Sequence, residues 1–76
     1  MQQTIDFELD ARHEHVELNQ LLKLVGLCDS GGAGKAIVAS GVVYVDGQQE
    51  LRKTCKIHPG QEVTLEDFLI RVLPAN

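Results

Sequence analysis

Residues 28–36 read CDSGGAGKA, and a glycine-rich stretch closing on Gly-Lys is the form that nucleotide-binding loops take. Such a loop needs Gly, four residues, then Gly-Lys-Ser or Gly-Lys-Thr, so that backbone N–H groups cradle the phosphates and the hydroxyl holds magnesium. Counting back from Gly34-Lys35, the first glycine position holds Asp29 and the hydroxyl position holds Ala36. A carboxylate repels a triphosphate, and alanine cannot ligate a metal. The preceding VELNQLLKLVGL also has helical spacing, whereas a P-loop follows a buried strand. These departures argue against a nucleotide site. What remains at Ser30-Gly31-Gly32 is a helix start, whose free N–H groups and positive dipole end suit a single phosphate, with Lys35 adding a point charge. The bland alternative is a flexible helix start with a solvated lysine.

A second cationic cluster, Arg52, Lys53 and Lys56, follows shortly after. The arginine fork matches a phosphate and lysine supplies a mobile charge, although Arg52 can equally pair with Glu50. Lys23 is a weaker candidate for the same surface. Tyr44 is the one aromatic residue outside the terminal strands; it can stack an unpaired base or pack sideways against Val42 and Leu51. His13-Glu14-His15 puts two histidines on one strand face, but no third ligand lies near in sequence, so no metal site is expected. Cys28 and Cys55 form no CxxC or Cys/His zinc spacing and read as small buried hydrophobes. No Ser-His-Asp, paired-carboxylate or Cys-His arrangement stands out, so the expectation is a non-enzymatic protein without a cofactor.

At 76 residues the chain reads as a single domain, 1–76, of a size that buries only about 60% of its unfolded surface. A deep multi-residue active site is hard to build on that scale, and a binding module is easier. The net charge of −4 hides an asymmetry: the chain carries −4 up to Asn19, +2 from Gln20 to Gly60 and −2 thereafter. A basic middle between acidic ends can focus a polyanion on one face while limiting indiscriminate binding. The opening MQQTIDFELD has no secretory pattern, and no apolar run reaches membrane-spanning length. The expectation is a cytoplasmic monomer with both thiols reduced and no membrane partner.

These groups need elements to hold them. Ile5, Phe7 and Leu9 alternate with acids, which predicts a half-buried strand over 3–9. Leu18, Leu21, Leu22 and Val25 recur at helical spacing, with Gly26 closing the helix. Asp29 or Ser30 then caps a short second helix, with Ala33, Ala36 and Ile37 inward, ending at Ser40-Gly41. Asp46-Gly47 predicts a two-residue hairpin turn, with Val43 and Val45 on one face and Val42 and Tyr44 on the other. His58-Pro59-Gly60 is a turn, and EVTL and FLIRVL (68–73) are closing strands around Glu66-Asp67. The fold class expected is α+β: two packed helices against a small, mostly antiparallel sheet.

In this order, HVEL, LLKL, Ser30-Gly31, Lys35, VDG, Glu50, RK, CKI and Gly60-Gln61 resemble the S4 RNA-binding domain, named for protein four of the small ribosomal subunit. The likeness runs over about 16–65, and the small stand-alone bacterial members resemble this chain most. It implies an αL-type motif that binds RNA without catalysis, with the two helices and the hairpin as the binding face. The partner it implies is structured RNA, of the ribosomal or transfer class, with the ribosome or its proteins as further partners. The RNA-binding set is then Lys23, Ser30, Gly31, Gly32, Lys35, Tyr44, Arg52, Lys53 and Lys56. A protein–protein adaptor without direct RNA binding is the alternative. A ubiquitin-like sulfur carrier is argued against by the closing Leu-Pro-Ala-Asn, where a carrier has Gly-Gly.

Overall fold

A computed structural model of the chain describes residues 2–75. The element order is β1 (Gln3–Glu8), β2 (Val16–Glu17), α1 (Leu18–Leu24), α2 (Gly31–Ala39), β3 (Val43–Val45), β4 (Gln48–Gln49), β5 (Lys56–Ile57), β6 (Glu62–Leu65) and β7 (Phe68–Leu73). Five strands form one sheet in the order β1-β7-β6-β3-β4, and β2 and β5 form a separate antiparallel ladder. All pairings are antiparallel except β1 with β7, which run parallel. The α+β expectation is met: the sheet is mixed and mostly antiparallel, as expected.

Both helices lie on one face of the five-stranded sheet. Leu18, Leu21 and Leu22 of α1 and Val38 of α2 meet Val43, Val63, Ile70 and Val72, all fully buried in one cluster. Each such side chain stabilises the fold by roughly 1.5–3 kcal/mol relative to exposure. Strand alternation leaves Thr4, Asp6, Tyr44, Glu62, Thr64, Leu69 and Arg71 on the opposite face, which carries no helix.

The helix ends are set by local chemistry. After α1 the Gly26 N–H donates to the Lys23 carbonyl (3.0 Å) and the Leu27 N–H to the Leu22 carbonyl (2.9 Å), with Gly26 at φ +84°. This is the paired closure that needs a left-handed residue after the last turn. Ser30 caps α2: its Oγ accepts from the Ala33 N–H at 3.1 Å. The inward face of α2 differs from the sequence reading, because Ala36 is exposed and the fully buried positions are Gly34 and Val38. The reason is the closeness of the two helices at Gly34, described below, which turns α2 so that glycine takes the contact. Cys28 and Cys55 are half-buried rather than buried, each packed against the edge of the core.

Asp46 (φ +51°) and Gly47 (φ +83°) make the tight turn of the β3–β4 hairpin. The Asp46 carboxylate also accepts from the Glu62 N–H (2.9 Å) and Gln61 Nε2 (3.2 Å), tying that turn to the start of β6. The His58–Gln61 turn closes with the Gln61 N–H donating to the His58 carbonyl (3.1 Å). Among the described residues no helix is long and apolar enough to cross a membrane.

Candidate nucleic-acid interface

Helix α1 starts without a side-chain cap; Glu17 stands at the capping position and accepts nothing from the first turn. Its first N–H groups need other partners. The Leu18 N–H donates to the Cys55 carbonyl (2.8 Å) and the Asn19 N–H to the Lys53 carbonyl (3.1 Å). The basic segment therefore serves as the backbone cap of α1, and the β2–β5 pairing of Val16 with Ile57 and Glu17 with Lys56 extends the same attachment. This is why the segment is placed rather than loose.

Asn19 carries that attachment across to α2. Its Nδ2 donates to the Gly31 carbonyl (3.3 Å), and the residue is only 2% exposed. A Cβ at Gly34 would overlap the Asn19 backbone carbonyl, so only glycine allows the two helices this approach. A Cβ at Gly31 would come within 2.7 Å of Gln20 Nε2, so the Gln20 amide occupies the space over the α2 start. The start of α2 and the segment that carries Lys53 and Lys56 are thus both bonded to Asn19, with the Gln20 amide beside Gly31. Asn19 and Gln20 were absent from the sequence reading. The available signal was an asparagine just inside a leucine-rich helix, where its propensity is poor and a specific bond is its usual justification.

The ion pairs sort the cations. Among the described residues every arginine is paired: Arg12 with Asp10 (3.2 Å), Arg52 with Glu50 (2.9 Å) and Arg71 with Asp6 (2.8 Å). Among the described residues no lysine lies within ion-pair distance of an acid, so Lys23, Lys35, Lys53 and Lys56 are exposed and unpaired, with Glu17 opposite Lys56 across the β2–β5 ladder. Arg52 follows the alternative reading made from sequence. Its Nε and backbone N–H both donate to Glu50 Oε2 at 2.9 Å, and its Nη2 donates to Glu50 Oε1 at 2.9 Å. Hydrogen bonds from Arg52 hold the Glu50 carboxyl down at about 2. Burial pushes the Cys55 thiol up, which keeps it protonated beside that pair.

Lys35 is exposed on α2 beyond Gly31 and Gly32, as the sequence reading required. Tyr44 is set apart. Its register partners are Gln49 and Thr64, on the helix-free face of the sheet, whereas Lys23, Lys35 and the α2 start belong to the helix layer. His13 and His15 approach no third ligand: among the described residues no group of three or more His, Cys, Asp or Glu is placed to hold a metal. The rings of His15 and His58 lie 5.9 Å apart at the end of the β2–β5 ladder, tilted by 49°. The stretch at 28–36 follows α1 rather than a strand and is helical from Gly31, consistent with the case against a P-loop.

Comparison with known proteins gives this architecture a family. The family model described as "S4 domain" matches residues 7–73. The chain is 47% identical over 62 residues to the Escherichia coli (strain K12) protein named "Putative RNA-binding protein YbcJ", covering 82% of this chain and 89% of that one. A Shigella flexneri protein named "Uncharacterized protein YbcJ" matches with the same identity and coverage. Among solved structures, the solution structure of YbcJ from E. coli superposes with a TM-score of 0.71 at 44% identity, over 96% of this chain and 91% of that one. That structure is described as revealing an ALFAL motif involved in RNA-binding. With the family model spanning almost all of the described residues, this chain belongs to the S4 domain family.

Proposed function

We propose that the chain is a non-catalytic RNA-binding protein that recognises structured RNA, of the ribosomal or transfer class, through backbone phosphates. The whole chain acts as one RNA-binding unit, with residues 16–65 as the recognition motif and the terminal strands as its support. The observation that carries the reading is the double attachment of α1, by which Asn19 bonds both the Lys53 carbonyl and the Gly31 carbonyl. It supports one surface on which a helix N-terminus and unpaired lysines act together. The printed name of the E. coli relative, "Putative RNA-binding protein YbcJ", and the description of its structure as revealing a motif involved in RNA-binding support the class of ligand.

In this reading the N–H groups of Gly31 and Gly32, within the Ser30-capped turn, donate to one phosphate, which approaches over the open side of Gly32. Lys35, Lys53 and Lys56 contact neighbouring phosphates, with Lys23 on the flank. Arg52 enters only where a phosphate displaces Glu50. Such contacts fix orientation and carry no base identity, so recognition rests on RNA shape. Filter binding across a salt series tests the proposal. Affinity for structured RNA should fall with salt at a log–log slope of about −2 to −4. Affinity that ignores salt refutes it.

A further inference from the structure

The helix-free face of the sheet differs in charge and texture from the helix layer. Its cross-strand row Asp6–Arg71–Glu62 has one cation, and Arg71 is tied to Asp6 by two bonds of 2.8 and 3.0 Å. Glu8 lies on the same face of β1, and Glu66 lies at its rim, so the face is acidic overall. None of the four lysines stands on it.

Among the described residues, three of the four large hydrophobic side chains that remain exposed gather at one end of this face. They are Val42 (40%), Tyr44 (42%) and Leu51 (55%). Val42 and Tyr44 line a depression of about 370 Å³ with Gly41, Thr64 and Glu66. A Cβ on Gly41 would come within 3.8 Å of Leu51 Cδ2, which brings Leu51 to the same corner. Gln49 Nε2 donates to the Gly41 carbonyl at 2.9 Å and ties the hairpin to the end of α2. An apolar seat beside acids, on a corner that is already ordered, has the composition of a protein-docking surface: an aromatic anchor with a charged rim.

We infer that this corner and the acidic face beside it dock a basic, extended polypeptide segment of a partner protein. An apolar side chain of that segment sits over Tyr44 and Val42, and its flanking Arg or Lys residues face Glu66 and Glu62. Charge chooses the occupant. A nucleic acid is repelled by this face, while a cationic segment is attracted and steered. The site is separate from the lysine surface and does not rest on the RNA reading.

The test uses the whole chain and an acetylated, amidated Arg-Val-Arg-Leu-Arg-Val-Arg peptide, followed by NMR. Amide shifts are expected at Tyr44, Thr64, Glu66 and Leu69, with none at Gly31 or Lys53. Tyr44→Ala should weaken the peptide about tenfold, the loss typical of a central aromatic anchor. Glu66→Asn, which tolerates the positive φ, should weaken it too, and circular dichroism should show both variants folded. The inference is overturned by an absence of binding, by shifts spread over Asp10, Glu14 and Asp29, or by an unaffected Tyr44→Ala. RNA shifting these same amides gives the patch to nucleic acid and overturns it as well. Concentration-dependent dimers that hide Tyr44 without peptide overturn it in favour of a second copy of the chain.

Discussion

Gly34 meets the backbone of Asn19 where α1 and α2 cross, so closely that any side chain at position 34 would overlap the Asn19 carbonyl. The same asparagine bonds Gly31 and Lys53, so the tightest packing of the helix pair coincides with the junction of the proposed RNA surface. Packing and binding are set at one point.

Gly34→Ala should therefore destabilise the protein, although alanine is the better helix former. The propensity gain is at most about 1 kcal/mol, whereas overpacking costs about 1–3 kcal/mol. The opposing atom belongs to the backbone and cannot rotate away, so overpacking prevails. Urea denaturation should show a lower midpoint with an unchanged slope. A midpoint at or above wild type would refute the close approach.

Lys35→Ala, Lys53→Ala and Lys56→Ala should each make the salt slope of RNA binding shallower by about 0.7–0.9. Each should weaken structured RNAs of different sequence to a similar extent, because phosphate contacts do not read bases. Arg12→Ala and Arg71→Ala, which remove cations already paired with Asp10 and Asp6, should leave the slope unchanged.

Glu50→Gln should act in the opposite direction. It releases the Arg52 fork for phosphate, and the salt slope should steepen by about the value of one contact, roughly 0.7–0.9. The same change should alter the acid stability profile. The folded-state pKa of Glu50 lies at about 2, below an unfolded value of about 4.3. A depressed carboxyl stabilises the fold fully above the unfolded value, and this contribution fades as pH falls towards the folded one. Between about pH 5 and pH 2, wild type should lose stability more steeply than Glu50→Gln. Asp6 and Asp10, also held down by their arginines, contribute equally to both curves, so the difference isolates Glu50. Denaturant titrations at several pH values give both profiles.

ATP with magnesium should show no saturable heat in calorimetry. Asp29 and Ala36 stand where a P-loop has glycine and a hydroxyl, and Ala36 points to solvent on α2. Micromolar, magnesium-dependent binding would contradict this.

Much of the framework was legible from periodicity. The leucine spacing at 18, 21 and 22 gave α1, the alternation around Tyr44 gave the faces of β3, and Asp46-Gly47 gave its turn. A cap at Asp29 or Ser30, which the structure assigns to Ser30, and the closing β6–β7 pair were readable for the same reason, because each is encoded within a few residues. The rest depends on partners distant in sequence. The β2–β5 ladder is two residues long on each side and has no period to detect. The inward turn of α2 depends on Asn19, which no local pattern in residues 31–39 reveals. Of the candidate site, the lysines were legible as charges, but their freedom was not, since it depends on which carboxylates the fold brings to the arginines. Tyr44 was legible as an exposed aromatic, and only the strand register separates it from the helix layer.

The parallel pairing of β1 with β7 joins residues 65 apart, as Asp6 and Arg71 show. During synthesis the first strand therefore leaves the ribosome long before its neighbour exists, with Ile5 and Phe7 uncovered until β7 has been made. The acids at Asp6 and Glu8 alternate with those two residues and oppose edge-to-edge association through that interval. Closing so long a loop is an entropically costly contact. Seating of β1 is thus expected to be the last step of folding and the first to be reversed when the protein begins to open.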